Sequence, residues 1–154
     1  MAGLLIIAHA PLASSLRAVA QHTFPEAANR LAALDVPPEM PVEEIERLAA
    51  ALLAEVCDPD ALVFADVFGA TPCNVAQRLA GMATTGAAKV VVVTGVSVPM
   101  LWRSLCYSKE SVDVMAARAV VSGQDGMMQL VSSRPQNQVN SPATHDQDPD
   151  HHQQ

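Results

Sequence analysis

Short, uniformly apolar segments, each followed by polar residues and then by a helical repeat, constrain the fold of this chain most strongly. Three of these segments are Leu4–Ala8, Ala61–Ala65 and Val90–Val93. A strand without polar alternation is typical of a parallel sheet that is covered on both faces. The segments between these strands repeat apolar residues at helical spacing. The pattern therefore predicts one α/β domain with a mainly parallel sheet between helices.

The remaining periodic segments complete this arrangement. Proline suits the first turn of a helix, and acidic residues there interact favourably with the positive end of the helix dipole. Both features, proline and acidic residues, occur where the second predicted helix begins, near Pro41. The further predicted elements are a strand over Ala32–Val36, helices starting near Leu12, Pro41 and Thr71, a short helix from about Met100 to Cys106, and a helix from Val112.

The C-terminal part of the chain changes character after residue 132. Gly123 and Gly126 bracket a predicted turn, and Met127–Val131 predicts a last strand at an edge of the sheet. From Ser133 to Gln154 polar residues dominate, and such a segment cannot offset the entropy lost on ordering. We therefore expect one domain over residues 1–132 and a disordered polar tail over residues 133–154.

Composition excludes several classes of function. The formal net charge of −7 argues against a nucleic-acid surface. The three widely spaced cysteines form no CxxC pair, which argues against a zinc site or disulfides and favours a cytosolic protein. No apolar run is long enough to cross a bilayer, and the N-terminus lacks the charged region of a signal peptide. We expect a cytoplasmic protein that is not inserted in a membrane and needs no metal or cofactor.

Polar residues follow three of the predicted strands. His9 ends the first strand, Asp66 follows the strand Ala61–Ala65, and the loop Thr94–Ser97 ends the last parallel strand. Right-handed crossovers bring such loops to one edge of the sheet, where ligands bind in open α/β folds. A neutral histidine there can act as a base, a metal ligand or a nucleophile. The alternative is a structural histidine bonded to a nearby carbonyl.

These residues together suit the transfer of a phosphoryl group. Asp66 can accept a hydrogen bond from Nδ1–H of His9, which leaves Nε2 unprotonated. Alternatively, Asp66 is only a loop cap and Thr71 only an N-cap. The sequence contains no GxSxG, GxGxxG or Walker A motif that would indicate other chemistry. Backbone amides and hydroxyls that can hold a phosphoryl group come from Gly69, Ala70, Thr71 and Ser97.

The chain resembles the enzyme IIA domain of the mannose-type phosphotransferase system. Three motifs carry the resemblance, in the family's order and spacing: a strand that ends in His9, the segment Asp66–Ala76, and the segment Gly95–Leu101. The resemblance covers roughly residues 1 to 131. Two positions depart from the family pattern. Ala10–Pro11 follows the histidine where the family usually has Gly, and Ala70 replaces the second Gly of the middle motif.

The resemblance implies a flavodoxin-like fold and a homodimer in which the last strand is exchanged between subunits. It further implies a phosphotransferase in which phospho-HPr phosphorylates His9 at Nε2 and an enzyme IIB partner receives the phosphoryl group for sugar uptake. Asp66 matches the carboxylate that orients the histidine. Thr71 matches the hydroxyl of the phosphate-binding loop.

Two other roles stay open at this point. The protein can be a regulatory phosphoprotein whose phosphorylation state controls its binding to other proteins, without sugar transport. A third alternative is the related phosphoryl donor domain of dihydroxyacetone kinase systems. Because no IIB domain follows in the sequence, the expected acceptor is a separate protein.

Overall fold

The computed structural model describes residues 1–83 and 88–130, which form a four-stranded sheet with helices on both faces. The strands are β1 (Gly3–His9), β2 (Leu31–Val36), β3 (Ala61–Ala65) and β4 (Val90–Thr94). The helices are α1 (Leu12–Thr23), α2 (Val42–Val56), α3 (Thr71–Ala83), α4 (Val98–Cys106) and α5 (Val112–Asp125), with a short 3₁₀ turn over Ala27–Arg30.

The strand order places the candidate site residues side by side. The sheet is parallel throughout, in the order β2-β1-β3-β4. Within it, Ile7 of β1 lies opposite Leu34 of β2 and Ala65 of β3. The carboxyl ends of β1 and β3 are therefore neighbours, and the predicted α/β class with a parallel sheet is confirmed.

Two apolar layers explain why the strands show no polar alternation. Leu4 and Ile6 of β1 face the layer built by α1, α4 and α5, whereas Leu5 and Ile7 face the layer built by α2 and α3. All four side chains are buried. A strand covered on both faces must be apolar at every position, as the sequence predicts.

Helices α1, α3 and α5 begin at the predicted residues, whereas the starts of α2 and α4 differ from the predicted positions by one and two residues. Helix α4 begins at Val98, ahead of the predicted start near Met100. Thr71 is the first residue of α3 and Pro72 the second, so the alternative in which Thr71 is the N-cap is wrong. Ala70 precedes the helix instead, and its carbonyl accepts a hydrogen bond from the amide of Asn74 at 3.0 Å.

The predicted turn between Gly123 and Gly126 is also wrong, because α5 continues to Asp125 and ends at Gly126. Gly123 lies inside the helix where α5 approaches α4: a Cβ there would lie 2.9 Å from Cγ of Met100. Close packing, and not a turn, requires glycine at this position.

The predicted last strand is not part of this sheet. Residues 127–130 belong to no strand of the described chain, and Met127, Met128 and Leu130 are 71–89% exposed. Val131 and the predicted tail over residues 133–154 lie outside the described residues. The domain boundary at residue 132 and the exchanged strand stay predictions.

Candidate active site

His9 and Asp66 form a close pair at the carboxyl edge of the sheet. Nδ1 of His9 lies 2.7 Å from Oδ2 of Asp66. The backbone amide of His9 donates a second hydrogen bond to the same oxygen at 3.0 Å. The side chain of Asp66 is 9% exposed, whereas that of His9 is 52% exposed. The predicted hydrogen bond is present, and one carboxylate holds both the backbone and the ring of the histidine.

Three hydrogen bonds keep Asp66 ionised. Its other oxygen, Oδ1, accepts a hydrogen bond from the amide of Val67 at 2.9 Å. Burial alone raises the pKa of Asp66, but the hydrogen bonds from His9 and Val67 and the nearby imidazole together hold the pKa below its usual value. The carboxylate therefore serves as an acceptor only.

An ionised Asp66 determines the tautomer of His9. A carboxylate has no proton to donate, so Nδ1 of the ring must carry the hydrogen in their 2.7 Å contact. In the neutral ring this leaves the lone pair on Nε2. No hydrogen bond to Nε2 is formed by any residue that the structure describes. The ring is thus half-exposed, and the lone pair on its Nε2 is not engaged by any described residue.

The loop between β3 and α3 forms a tight turn next to Asp66. Gly69 has a φ of +81°, in the region that favours glycine. The amide of Ala70 donates to the carbonyl of Val67 at 3.3 Å, and Nδ2 of Asn74 donates to the carbonyl of Gly69 at 3.2 Å. The turn is therefore held by glycine geometry and by the amide side chain of Asn74.

The start of α3 leaves backbone donors available. Pro72 has no N–H, and the amides of Thr71 and Cys73 find no acceptor in the part of the chain that the structure describes. Thr71 is exposed, and its hydroxyl also lacks a partner there. Free amides at a helix N-terminus favour anions through their hydrogen bonds and the helix dipole.

The start of α1, which also lies close to His9 in sequence, is already occupied by a carboxylate. Its N-cap residue is Pro11, whose side chain cannot accept a hydrogen bond. Asp35 of β2 replaces this cap, because its Oδ1 accepts the hydrogen bond of the Ser14 amide at 3.0 Å. Of the two helix starts near the site, that of α3 is the better place for an incoming anion.

Ser97 is not joined to the pair at the end of β1 and β3. Its Oγ is buried and has no hydrogen-bond partner among the residues that the structure describes. It lies beside a cavity of about 280 Å³ at β4, α4 and α5, which is also lined by Thr94, Gly95 and Met100. No hydrogen bond connects Ser97 with His9 or Asp66.

Sequence reasoning missed two residues that shape the site. Asp35 was not singled out, because a cap supplied by a neighbouring strand has no local signature in front of the helix. Asn74 was part of the quoted motif, but its contact with the Gly69 carbonyl depends on the fold of the turn. The sequence signal for that contact is a polar residue at the fourth position of α3, shortly after a Gly-Ala-Thr-Pro segment.

Within residues 1–83 and 88–130, His, Cys, Asp and Glu side chains form no cluster of three that could hold a metal ion. None of the helices in those residues has both the length and the apolar character needed to cross a membrane.

Comparison with known proteins identifies the family. Residues 3–122 match the family model EIIA-man, the PTS system fructose IIA component. Among solved structures, the mannose/sorbose specific IIA subunit of the phosphotransferase system from Enterococcus faecalis is 26% identical, with a TM-score of 0.76 over 86% of this chain and 97% of that chain. No curated protein matches the chain.

Two more distant structures share the fold. Phosphotransferase system component EIIA from Streptococcus agalactiae is 21% identical, with a TM-score of 0.71 over 84% of this chain and 97% of that chain. A sigma-54 interaction domain protein from Enterococcus faecalis is 14% identical, with a TM-score of 0.67 over 81% and 92% of the two chains. Since the family model spans most of the sequence, the chain belongs to the EIIA-man family of phosphotransferase-system components and has a role in sugar phosphotransfer.

Proposed function

We propose that the protein is a phosphohistidine carrier in which Nε2 of His9 accepts a phosphoryl group from phospho-HPr. The observation that carries this proposal is the 2.7 Å contact between Nδ1 of His9 and the ionised Asp66. It holds the proton on Nδ1 and leaves the nucleophilic lone pair on the exposed Nε2. Membership of the family supports the class of donor.

The transfer step needs no group beyond the two proteins. Nε2 of His9 attacks the phosphorus, the new N–P bond forms, and the bond between phosphorus and the donor atom that carried it breaks, with its electron pair going to that donor atom. The phosphorylated ring of His9 carries positive charge and keeps its Nδ1–H. Asp66 stabilises this charge while keeping the ring in place. The same groups act in reverse when the phosphoryl group leaves.

Thr71 is the strongest candidate for holding the phosphoryl oxygens. It supplies an exposed hydroxyl and a free amide at the start of α3. Gly69 allows the turn in this loop, because its φ of +81° lies in the region that favours glycine. Ala70 contributes less because its amide already donates to Val67, and Ser97 can contribute only if its buried Oγ turns outward.

An enzyme IIB protein is the proposed acceptor, with the reaction taking place in the cytoplasm. Exposed apolar side chains next to Asp66 support docking of a protein there: Val67 is 54% exposed and Phe68 is 76% exposed. Transfer of the phosphoryl group to an acceptor distinguishes this role from that of a regulatory phosphoprotein. A carrier loses its phosphate rapidly to the IIB protein, whereas a regulator does not.

We also propose that the protein is a homodimer in which the segment after α5 pairs with β4 of the partner. Strand β4 is an edge strand with one neighbour in the described sheet, and it is less buried than β1 and β3. The exposed Met127, Met128 and Leu130 follow directly on α5. An open strand edge and an unpaired apolar segment in one chain favour pairing between two chains.

Phosphorylation of variants tests the main proposal. Incubation with enzyme I, HPr and phosphoenolpyruvate should add one acid-labile phosphate per chain, and His9→Ala should abolish it. His22→Ala is the matched control, because His22 is also exposed but lies near the end of α1. Labelling that survives in His9→Ala would contradict the assignment.

A further inference from the structure

A second cluster of polar side chains lies on the outer face of α4 and α5, away from the loops that carry His9 and Asp66. Two arginines, Arg103 of α4 and Arg118 of α5, approach the same aromatic ring. The guanidinium carbon of Arg118 lies 4.1 Å from the ring centre of Tyr107, and that of Arg103 lies 5.6 Å from it. Both arginines therefore meet at one ring between the helices.

The contacts of both arginines restrict their positions but leave donors unused. Nε of Arg103 donates to Oγ of Ser122 at 2.9 Å, which leaves its terminal nitrogens available. A guanidinium stacked on an aromatic face is held by cation–π attraction and keeps its N–H edge free. The cluster is thus ordered before any ligand arrives, which reduces the entropy lost on binding.

Neither arginine is neutralised by a carboxylate. Other exposed arginines of the chain are paired, such as Arg47 with Glu44 and Arg78 with Glu46, each at 2.6 Å. No ion pair joins Arg103 or Arg118 to an acidic residue in the described ranges 1–83 and 88–130. Two unpaired guanidinium groups at one place are unexpected in a chain whose formal net charge is −7.

The two arginines line a groove of about 320 Å³ together with Ala117, Val121, Ser122 and Asp125. This volume is at the lower end of small-molecule sites, which span roughly 300–1,000 Å³. Asp125 is the one carboxylate in the lining, so the groove keeps a net positive charge. Its carboxylate and the hydroxyl of Ser122 suit hydroxyl groups on a ligand.

We propose that this groove binds a small phosphate monoester through Arg103 and Arg118. The forked N–H groups of arginine match the oxygens of a phosphate, and two guanidinium groups balance the two charges of its dianion. All the lining residues lie on α4 and α5. The proposed site is therefore separate from His9, and a ligand can occupy it while His9 carries a phosphoryl group.

Arginine side-chain NMR tests the proposal on the full-length protein. Glycerol 3-phosphate is titrated into ¹⁵N-labelled protein, with glycerol as the uncharged probe and inorganic phosphate as the bare anion. We expect the Nε–Hε signals of Arg103 and Arg118 to shift and saturate with a Kd of about 1 mM or tighter. Glycerol should cause no shift. The same shifts should occur in His9→Ala, since that variant leaves α4 and α5 unchanged.

Single variants assign the binding to the two arginines. Arg103→Gln and Arg118→Gln should each weaken binding at least tenfold, or ~1.4 kcal/mol or more, as followed by the signal of the remaining arginine. Arg118→Lys keeps the charge but loses the planar fork, and should give an intermediate loss. Arg47→Gln and Arg78→Gln remove the same charge from α2 and α3 and should bind like the natural sequence.

Three outcomes would overturn the proposal. The first is the absence of a saturable shift with either phosphate compound. The second is an equal loss of binding in the Arg47 and Arg78 controls, which would indicate general electrostatic attraction. The third is tight binding of an oligo-aspartate peptide in the groove without binding of glycerol 3-phosphate, which would make the groove a surface for an acidic protein.

Discussion

Two regions of the sheet are built in opposite ways. One is the corner where β1 and β3 end, which carries His9 and Asp66, and the other is the outer edge formed by β4. At the corner, a single carboxylate, that of Asp66, accepts hydrogen bonds from the amide and ring of His9 and from the amide of Val67. At the edge, β4 pairs only with β3 in the described sheet. The exposed Met127 and Leu130 follow α5 and belong to no strand within the described residues.

This difference distinguishes the site that one chain forms by itself from the strand edge that stays unpaired in the described sheet. The corner has its geometry fixed by contacts within the chain, so we expect one subunit to accept a phosphoryl group without help from another. In the described residues, the edge exposes both unpaired backbone groups and apolar side chains, which favours the proposal that a second chain completes it. Chemistry and assembly should therefore respond to different mutations.

The largest expected effect comes from Asp66→Asn at the corner. An amide side chain cannot serve as a charged acceptor for Nδ1–H, so the tautomer of His9 and the charge of the phosphorylated ring lose their stabilisation. We expect phosphorylation by phospho-HPr to slow by roughly 10²- to 10⁴-fold in a folded protein. Stopped-flow or quench measurements of acid-labile phosphate check this. A folded variant with the natural rate would show that the corner does not depend on its carboxylate.

The pH dependence of stability provides an independent check on Asp66. Because its pKa in the folded protein lies below the usual 3.8, the ionised form stabilises the fold. That contribution is complete above the unfolded-state pKa and is lost as the pH falls through the lower folded-state value. Urea unfolding should show that the difference between the natural chain and Asp66→Asn shrinks as the pH falls through this acidic range. A constant difference would argue that Asp66 is not ionised.

The second effect concerns the edge. Deleting the chain from Met127 onward removes the proposed exchanged segment, and we expect the dimer dissociation constant to rise by at least about tenfold. Sedimentation or light scattering measures this. Deletion from Ser133 onward is the matched control and should leave the dimer, the unfolding temperature and the phosphorylation of His9 unchanged. An unchanged mass after the longer deletion would contradict strand exchange, whereas unfolding after the shorter one would contradict a domain boundary at residue 132.

The corner was more predictable from sequence than the edge, for physical reasons. The apolar strand segments are recognisable on their own, and the predicted strands β1 to β4 agree with the structure to within one residue. Parallel pairing of adjacent strands then brings His9 and Asp66 together. The conformation of residues 127–130 cannot be deduced in this way, because an apolar segment does not itself identify the strand with which it pairs, and these residues belong to no strand of the described chain. The turn predicted at Gly123 is wrong because a glycine that allows close packing on Met100 cannot be distinguished in the sequence from a glycine in a turn.

The smallest expected effect is at Asp35, which connects β2 to the start of α1. Asp35→Ala removes the carboxylate that accepts the hydrogen bond of the Ser14 amide, and loss of such a cap costs about 1 kcal/mol of unfolding free energy. Asp35→Asn keeps an acceptor and should lose less. His9 should stay in place, because the amide of Ala10 still donates to Val36 and Asp66 still holds the ring. Chemical denaturation and phosphorylation rates measured on both variants test this, and a stable Asp35→Ala protein that phosphorylates slowly would show that α1, and not Asp66 alone, positions the histidine.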